Sequence, residues 1–193
     1  LSHCLAGQKW HFYDPPGSPS LGEQSIPSLR SLVSGIFQFA KERQLTRYGL
    51  ITHSFGNYLA MRALERSENK VCALVMISPM SFAFTDWQKA LAQIASGVPQ
   101  SILNKIHQLT ENKKTDPDIF NALLPYYAKK LEMTLPEIPL NLAMCDGIAA
   151  QVGTYDDTSF LIEARIPWCC IVGEKDPFLK ASQQRNEKMT VIP

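Results

Sequence analysis

Leu50-Ile51-Thr52-His53-Ser54-Phe55-Gly56-Asn57 joins a strand-like run to a helix-like run through a single serine. Tyr48 to His53 is short and apolar enough for a strand. Gly56 to Arg66 carries Leu59, Ala60, Ala63 and Leu64 at helical spacing. A serine on so sharp a strand-to-helix turn must adopt a strained backbone. That backbone lifts the hydroxyl above the sheet edge and favours small neighbours two residues to either side. Gly56 meets the requirement; Thr52 is compact but β-branched. The octapeptide alone is also compatible with Ser54 as an ordinary helix N-cap.

The flanking sequence extends the alternation. Val71 to Ile77 and Ile166 to Val172 are almost wholly apolar, as expected of central parallel strands covered on both faces. Upstream, Leu29, Leu32, Val33, Ile36, Phe37 and Ala40 follow the helical period. Ser25 is placed to cap that helix, and Pro27 is tolerated in its first turn. Lys9 to Tyr13 reads as a short strand, Leu1 to Gln8 as the end of a helix, and Asp14 to Ser20 as a loop. Strand, helix, strand, helix, strand at this spacing predicts an α/β fold with a mostly parallel central sheet flanked by helices. Between Pro79 and Ile166 the alternation stops. Phe82 to Ser96, Ser101 to Thr110, Asp118 to Leu131 and Leu140 to Val152 all look helical. The expected organisation is a core of residues 1–79 and 166–193 with a helical insertion, residues 80–165, between two strands. After Asp176, a helix over Leu179 to Lys188 and a strand beginning at Thr190 complete the reading.

Four segments in order resemble motifs of the α/β-hydrolase superfamily, of the capped serine-hydrolase type. Asp14-Pro15-Pro16-Gly17-Ser18-Pro19-Ser20 resembles its D-x-P-G-x-G-x-S loop after the fourth strand, with Pro19 in place of the second glycine. His53-Ser54-Phe55-Gly56 resembles the nucleophile elbow, with Thr52 in place of glycine. Ile77-Ser78-Pro79 resembles the end of the sixth strand, and Ile171 to Asp176 the seventh strand and acid loop. The resemblance implies a helical cap between strands six and seven. It implies Ser54 as nucleophile, the Phe55 N–H as an oxyanion donor and Asp176 as the acid that orients a catalytic histidine. Asp156 and Asp157 are weaker acid candidates, expected to solvate or cap the end of the insertion. The base should follow the acid in chain order, yet His3, His11, His53 and His107 all precede Asp176. His53 is expected to point to the opposite face of its strand, and His107 to be an ordinary surface or core residue. The sequence therefore resembles a family member cut at both ends, with the histidine beyond Pro193. Residues 1–193 alone are expected to lack triad catalysis.

The implied activity is hydrolysis of a small or medium, partly apolar ester, thioester, amide or carbon–carbon bond, with no cofactor and no metal. Met80, Phe82 and Phe84, nearest the strand end, are the candidate substrate contacts. The serine at position 54, rather than an aspartate, disfavours dehalogenase and epoxide-hydrolase chemistry. The alternative is a non-catalytic protein of the same fold that binds a small molecule or a protein partner.

Composition narrows the partners. The net charge is +1 and no basic stripe is visible, which argues against nucleic acid. Five cysteines, without a CxxC pair, suggest neither a zinc site nor a disulfide framework. Buried thiols in a reducing, cytoplasmic compartment are the expectation. No apolar run reaches the ~18 residues of a membrane span. The oligomeric state is left open by the sequence.

Overall fold

The computed structural model describes Gly7 and residues 9–16, 26–66, 70–111, 151–157, 166–174, 176 and 189–192. The described elements run α1 (Leu29–Glu42), β1 (Tyr48–Ser54), α2 (Phe55–Leu64), β2 (Val71–Pro79), α3 (Phe84–Ser96), α4 (Gln100–Glu111), β3 (Trp168–Gly173) and β4 (Met189–Ile192). The four strands form one sheet in the order β1-β2-β3-β4, and every neighbouring pair is parallel. All four C-terminal ends therefore lie along one edge. In open α/β sheets that edge is where functional groups gather.

The helix α2 is apolar on two sides because it is covered on two sides. Ala60 and Met61 pack with Leu74 and Met76 of β2 and with Trp168, Cys170 and Val172 of β3. Tyr58, Leu59 and Ala63 pack instead with Leu32 and Val33 of α1 and with Val152. On β2, Leu74 and Met76 are essentially sealed, whereas Ala73, Val75 and Ile77 on the other face are half-buried. Burial of one such side chain is worth about 1.5–3 kcal/mol, so α2 is fixed from both sides by the apolar residues that made it legible as a helix.

Two local expectations are corrected. The first helix starts at Leu29, not near Ser25, because Ser28 caps it. Ser28 has an extended backbone and its Oγ accepts the Ser31 N–H at 3.0 Å. Pro27 then lies before the helix, and Ser25 lies outside the described residues. Lys9 to Tyr13 has no strand partner among the described residues. Its rings serve α1 instead: His11 and Tyr13 both pack against Phe39, and the Tyr13 hydroxyl donates weakly to the Leu32 carbonyl at 3.4 Å. A side chain at Gly35 would occupy the position of the Tyr13 hydroxyl, so glycine there admits the ring.

Helices α3 and α4 follow β2 where the sequence placed them. The expected helix over Asp118 to Leu131 lies outside the described residues. So does the one over Leu140 to Val152, apart from its last two residues, Gln151 and Val152, which are helical, and so does Leu179 to Lys188. At its neck the inserted segment is clasped. Ala83 and Asp156 form an antiparallel bridge, the Phe84 N–H donates to the Tyr155 carbonyl at 2.9 Å, and the Asp157 N–H donates to the Phe82 carbonyl at 2.8 Å.

Candidate active site

β1 ends and α2 begins with no residue between them. Ser54 is the last strand residue and Phe55 the first helical one. Ser54 takes φ 50° and ψ −121°, a region L-residues rarely occupy. Its side chain makes no capping hydrogen bond, so the ordinary N-cap role is excluded. Ser54 is exposed while the turn beneath it is packed. A strained, solvent-facing hydroxyl at the sheet's C-terminal edge stands beside the first N–H groups of α2, whose dipole favours negative charge there. The Phe55 ring stacks on Tyr58, with centroids 5.7 Å apart, which fixes the first turn of α2.

The neighbouring strand is distorted at the same height. His53 pairs with Ile77 but Ser54 pairs with Pro79, leaving Ser78 unmatched at φ 40°. Bulges next to sites re-aim the chain that carries them. Only the Ser78-Pro79 pair hints at this one in the sequence.

Asp176 lies three residues past the end of β3, in a turn where its N–H donates to the Gly173 carbonyl at 3.0 Å. One strand, β2, separates β1 from β3, so the two strand axes are roughly 10 Å apart. An imidazole hydrogen-bonded on both nitrogens spans roughly 7–8 Å between its partners. Ser54 and Asp176 thus share an edge at a separation that side chains could close with one histidine between them. Asp176 also acts on Cys170: burial foremost, then the charges of Cys169 and Asp176, push that thiol up to about 12. Cys170 is fully buried, and Cys72 and Cys169 are half-buried; all three are free thiols.

None of the histidines in described segments is drawn into a buried catalytic position. His53 is exposed at the end of β1, and His107, exposed on α4, faces Glu111 at 3.2 Å. The three candidate contacts near the neck divide. Met80 and Phe82 line a small cavity with Asn57, Met61 and Tyr155, behind the elbow; Ser54 is not among its walls. Phe84 instead packs edge-on to Tyr155 and against Trp87. Asp157, expected to be solvated, is 4% exposed and pairs with Arg62 of α2. Arg62 also meets Glu65 at 3.0 Å and lies over the Tyr58 ring. Tyr155 donates its hydroxyl to the Ser81 carbonyl at 2.8 Å. Burial pushes that hydroxyl well above the usual tyrosine range. These contacts tie the neck of the insertion to α2, the helix that follows Ser54.

Sequence reasoning missed Asn57. It is 2% exposed, and its amide bonds to Thr52 and Ser54 of β1 and to Ile77 of β2. A polar residue within the otherwise apolar Leu59-Ala60-Met61 side of α2 was the available signal. Among the described residues no cluster of His, Cys, Asp or Glu could hold a metal ion, and no helix is long and apolar enough to cross a membrane.

No family model and no curated protein matches the chain. Solved structures do. A proline iminopeptidase of Mycobacterium smegmatis is similar at 15% identity and a TM-score of 0.52, covering 86% of this chain and 62% of its own. VinJ is similar at 13% identity and a TM-score of 0.55, with 85% and 63% covered. MGS-M2, an alpha/beta hydrolase enzyme from a Medee basin deep-sea metagenome library, is similar at 10% identity and a TM-score of 0.53, with 88% and 64% covered. The chain therefore spans less than two thirds of the length of each. Likeness at such low identity concerns the path of the backbone, that is, the fold.

Proposed function

We propose that this chain, which has the α/β-hydrolase fold, is the nucleophile-bearing part of a serine hydrolase. The observation that carries the proposal is the backbone of Ser54. A residue held at φ 50° without a glycine, and without using its hydroxyl as a cap, stores strain on the order of 1–3 kcal/mol. Strain of that kind persists where the neighbours over-determine it and a function uses it.

In this reading the Ser54 Oγ attacks a carbonyl carbon while a histidine outside residues 1–193 takes its proton. The Phe55 N–H holds the developing oxyanion. Collapse breaks the bond to the leaving group, which receives the proton from the histidine. A water then adds to the acyl–serine ester by the same steps and returns Ser54. Asp176 keeps the histidine in the required tautomer and stabilises it as an imidazolium. One oxyanion donor is worth roughly 2.7–4 kcal/mol of transition-state stabilisation. The inserted helices act as a cap that excludes water, and Met80, Phe82 and Phe84 present apolar surface to a small or medium, partly apolar substrate. The fold alone does not choose among ester, thioester, amide and carbon–carbon bonds.

The test is labelling of the full-length protein by a fluorophosphonate probe. Label on the wild type that is lost in Ser54→Ala supports the nucleophile. A folded wild type that takes no label rules it out and favours a binding protein of the same fold.

A further inference from the structure

The position where this chain departs from the elbow pattern, Thr52, is wired to a residue that the proposed mechanism does not use. The Thr52 hydroxyl donates to Asn57 Oδ1 at 2.7 Å, with the Val75 carbonyl at 3.4 Å. Asn57 Nδ2 donates to the Ser54 carbonyl at 2.8 Å and to the Ile77 carbonyl at 3.4 Å. The amide cannot be reversed. Two carbonyl oxygens face its nitrogen end and need donors, whereas its oxygen end meets a hydroxyl that can donate. The two carbonyls therefore set which way the Asn57 amide points, and the Thr52 hydroxyl holds its oxygen end in place.

A peptide unit is planar and trans, so its C=O and N–H point in opposite directions. The unit between Ser54 and Phe55 joins the carbonyl that Asn57 holds to the N–H that the mechanism directs at the oxyanion. Pinning the carbonyl inward turns the N–H outward, and it fixes ψ of Ser54 at its unfavourable value of −121°. Ile77 immediately precedes the bulged Ser78, so the same amide also ties the elbow to the distorted end of β2.

Resting on the reading of Ser54 as nucleophile, we infer that Asn57 is a positioning residue, braced by the Thr52 hydroxyl, that aims the Phe55 N–H into the oxyanion hole. The threonine in place of glycine is then the anchor of a device that holds the elbow by hydrogen bonds.

The experiment measures, in the full-length protein, the fluorophosphonate labelling rate together with kcat and KM for p-nitrophenyl acetate. Wild type, Asn57→Ala, Thr52→Val and Thr52→Ser are compared, with melting temperature as the check on folding. An interaction felt only in the transition state lowers kcat and kcat/KM together. Asn57→Ala is expected to lower the labelling rate and kcat about tenfold or more, with KM within about twofold, the scale of one misaligned donor. Thr52→Val keeps the shape and removes only the donor, and is expected to lower both rates about three- to tenfold, the scale of one hydrogen bond. Thr52→Ser, which keeps the hydroxyl, is expected to restore most of that loss. A folded Asn57→Ala with rates within about twofold of wild type overturns the inference. Should Asn57→Ala not fold, Thr52→Val decides in the same way. A wild type that takes no label fails at the first measurement, so the loss of the nucleophile reading, and of this inference with it, is separable from the failure of Asn57 alone.

Discussion

Replacing Ser54 with glycine should stabilise the protein while abolishing any nucleophilic activity, and replacing it with alanine should do only the second. The argument rests on φ 50° and ψ −121° at a residue with a Cβ. Such a backbone costs on the order of 1–3 kcal/mol, which glycine does not incur. Glycine gains extra freedom in the unfolded chain, worth roughly 0.5–1 kcal/mol against the folded state. No capping bond is lost, because the Ser54 side chain makes none, and little buried surface is lost, because the residue is exposed. The net gain for Ser54→Gly is then roughly 0.5–2 kcal/mol. Alanine keeps the Cβ and the strain, so Ser54→Ala should match wild type. At ~2–4 °C per kcal/mol for a chain of this size, the glycine variant should melt roughly 1–8 °C above the alanine variant. Thermal and urea unfolding followed by circular dichroism, on both variants under one buffer, reads the difference. A glycine variant that melts at or below the alanine variant would show that the backbone at 54 stores no strain, and the case from its dihedral angles would fail.

Three further outcomes are expected. Arg62→Met should destabilise more, by about 3 kcal/mol, than Asp157→Ala, by about 2 kcal/mol, in urea unfolding, since the first strands the more deeply buried charge while the second leaves Arg62 its contacts with Glu65 and Tyr58. The double variant should cost clearly less than the sum, and strict additivity would deny the pairing. Gly56→Ala should fold with unchanged or slightly raised stability, because an added Cβ meets only the Thr52 Cβ at an ordinary 3.8 Å; a drop in melting temperature of several degrees would contradict that spacing. Cys170, whose thiol burial pushes up to about 12 from 9.0, should resist iodoacetamide in the native protein at pH 9. A raised pKa in the folded state contributes stability that is whole below about pH 9 and is lost as pH climbs toward about 12, so alkaline unfolding and Cys170 alkylation, read by mass spectrometry, should rise together.

The elements were readable because each carried one dominant periodicity. The apolar runs at Val71 and Trp168 were strands, and the Leu29 to Ala40 spacing was a helix. Lys9 to Tyr13 misled because alternating aromatics fit a strand and a helix-covering loop equally well; only the position of α1 decides between them. At the site, the strand-to-helix turn at Ser54 and the turn after β3 that carries Asp176 were legible as chain-local motifs. Asn57, Ser78 and the Arg62–Asp157 pair were not. Their roles arise from register and from contacts between segments distant in sequence, such as Asn57 with Ile77 and Arg62 with Asp157. Asp157 looked solvated because an aspartate after Tyr155-Asp156 has no partner nearby in the chain. Its partner is on α2.

The bridge between Ala83 and Asp156 bears on how the sheet comes together. β2 and β3 are adjacent and parallel, yet β2 ends at Pro79 and β3 begins at Trp168. Pairing them from an open chain means closing a loop of about 90 residues, whereas a chain already joined at the bridge has only about 16 residues to close, which lowers the entropic cost by ~1.5 kcal/mol. The relation is mutual: whichever junction zips first shortens the search for the other. The neck of the insertion and the centre of the sheet are therefore one cooperative folding unit, and a lesion at Ala83 or Asp156 should slow the assembly of strands it never touches.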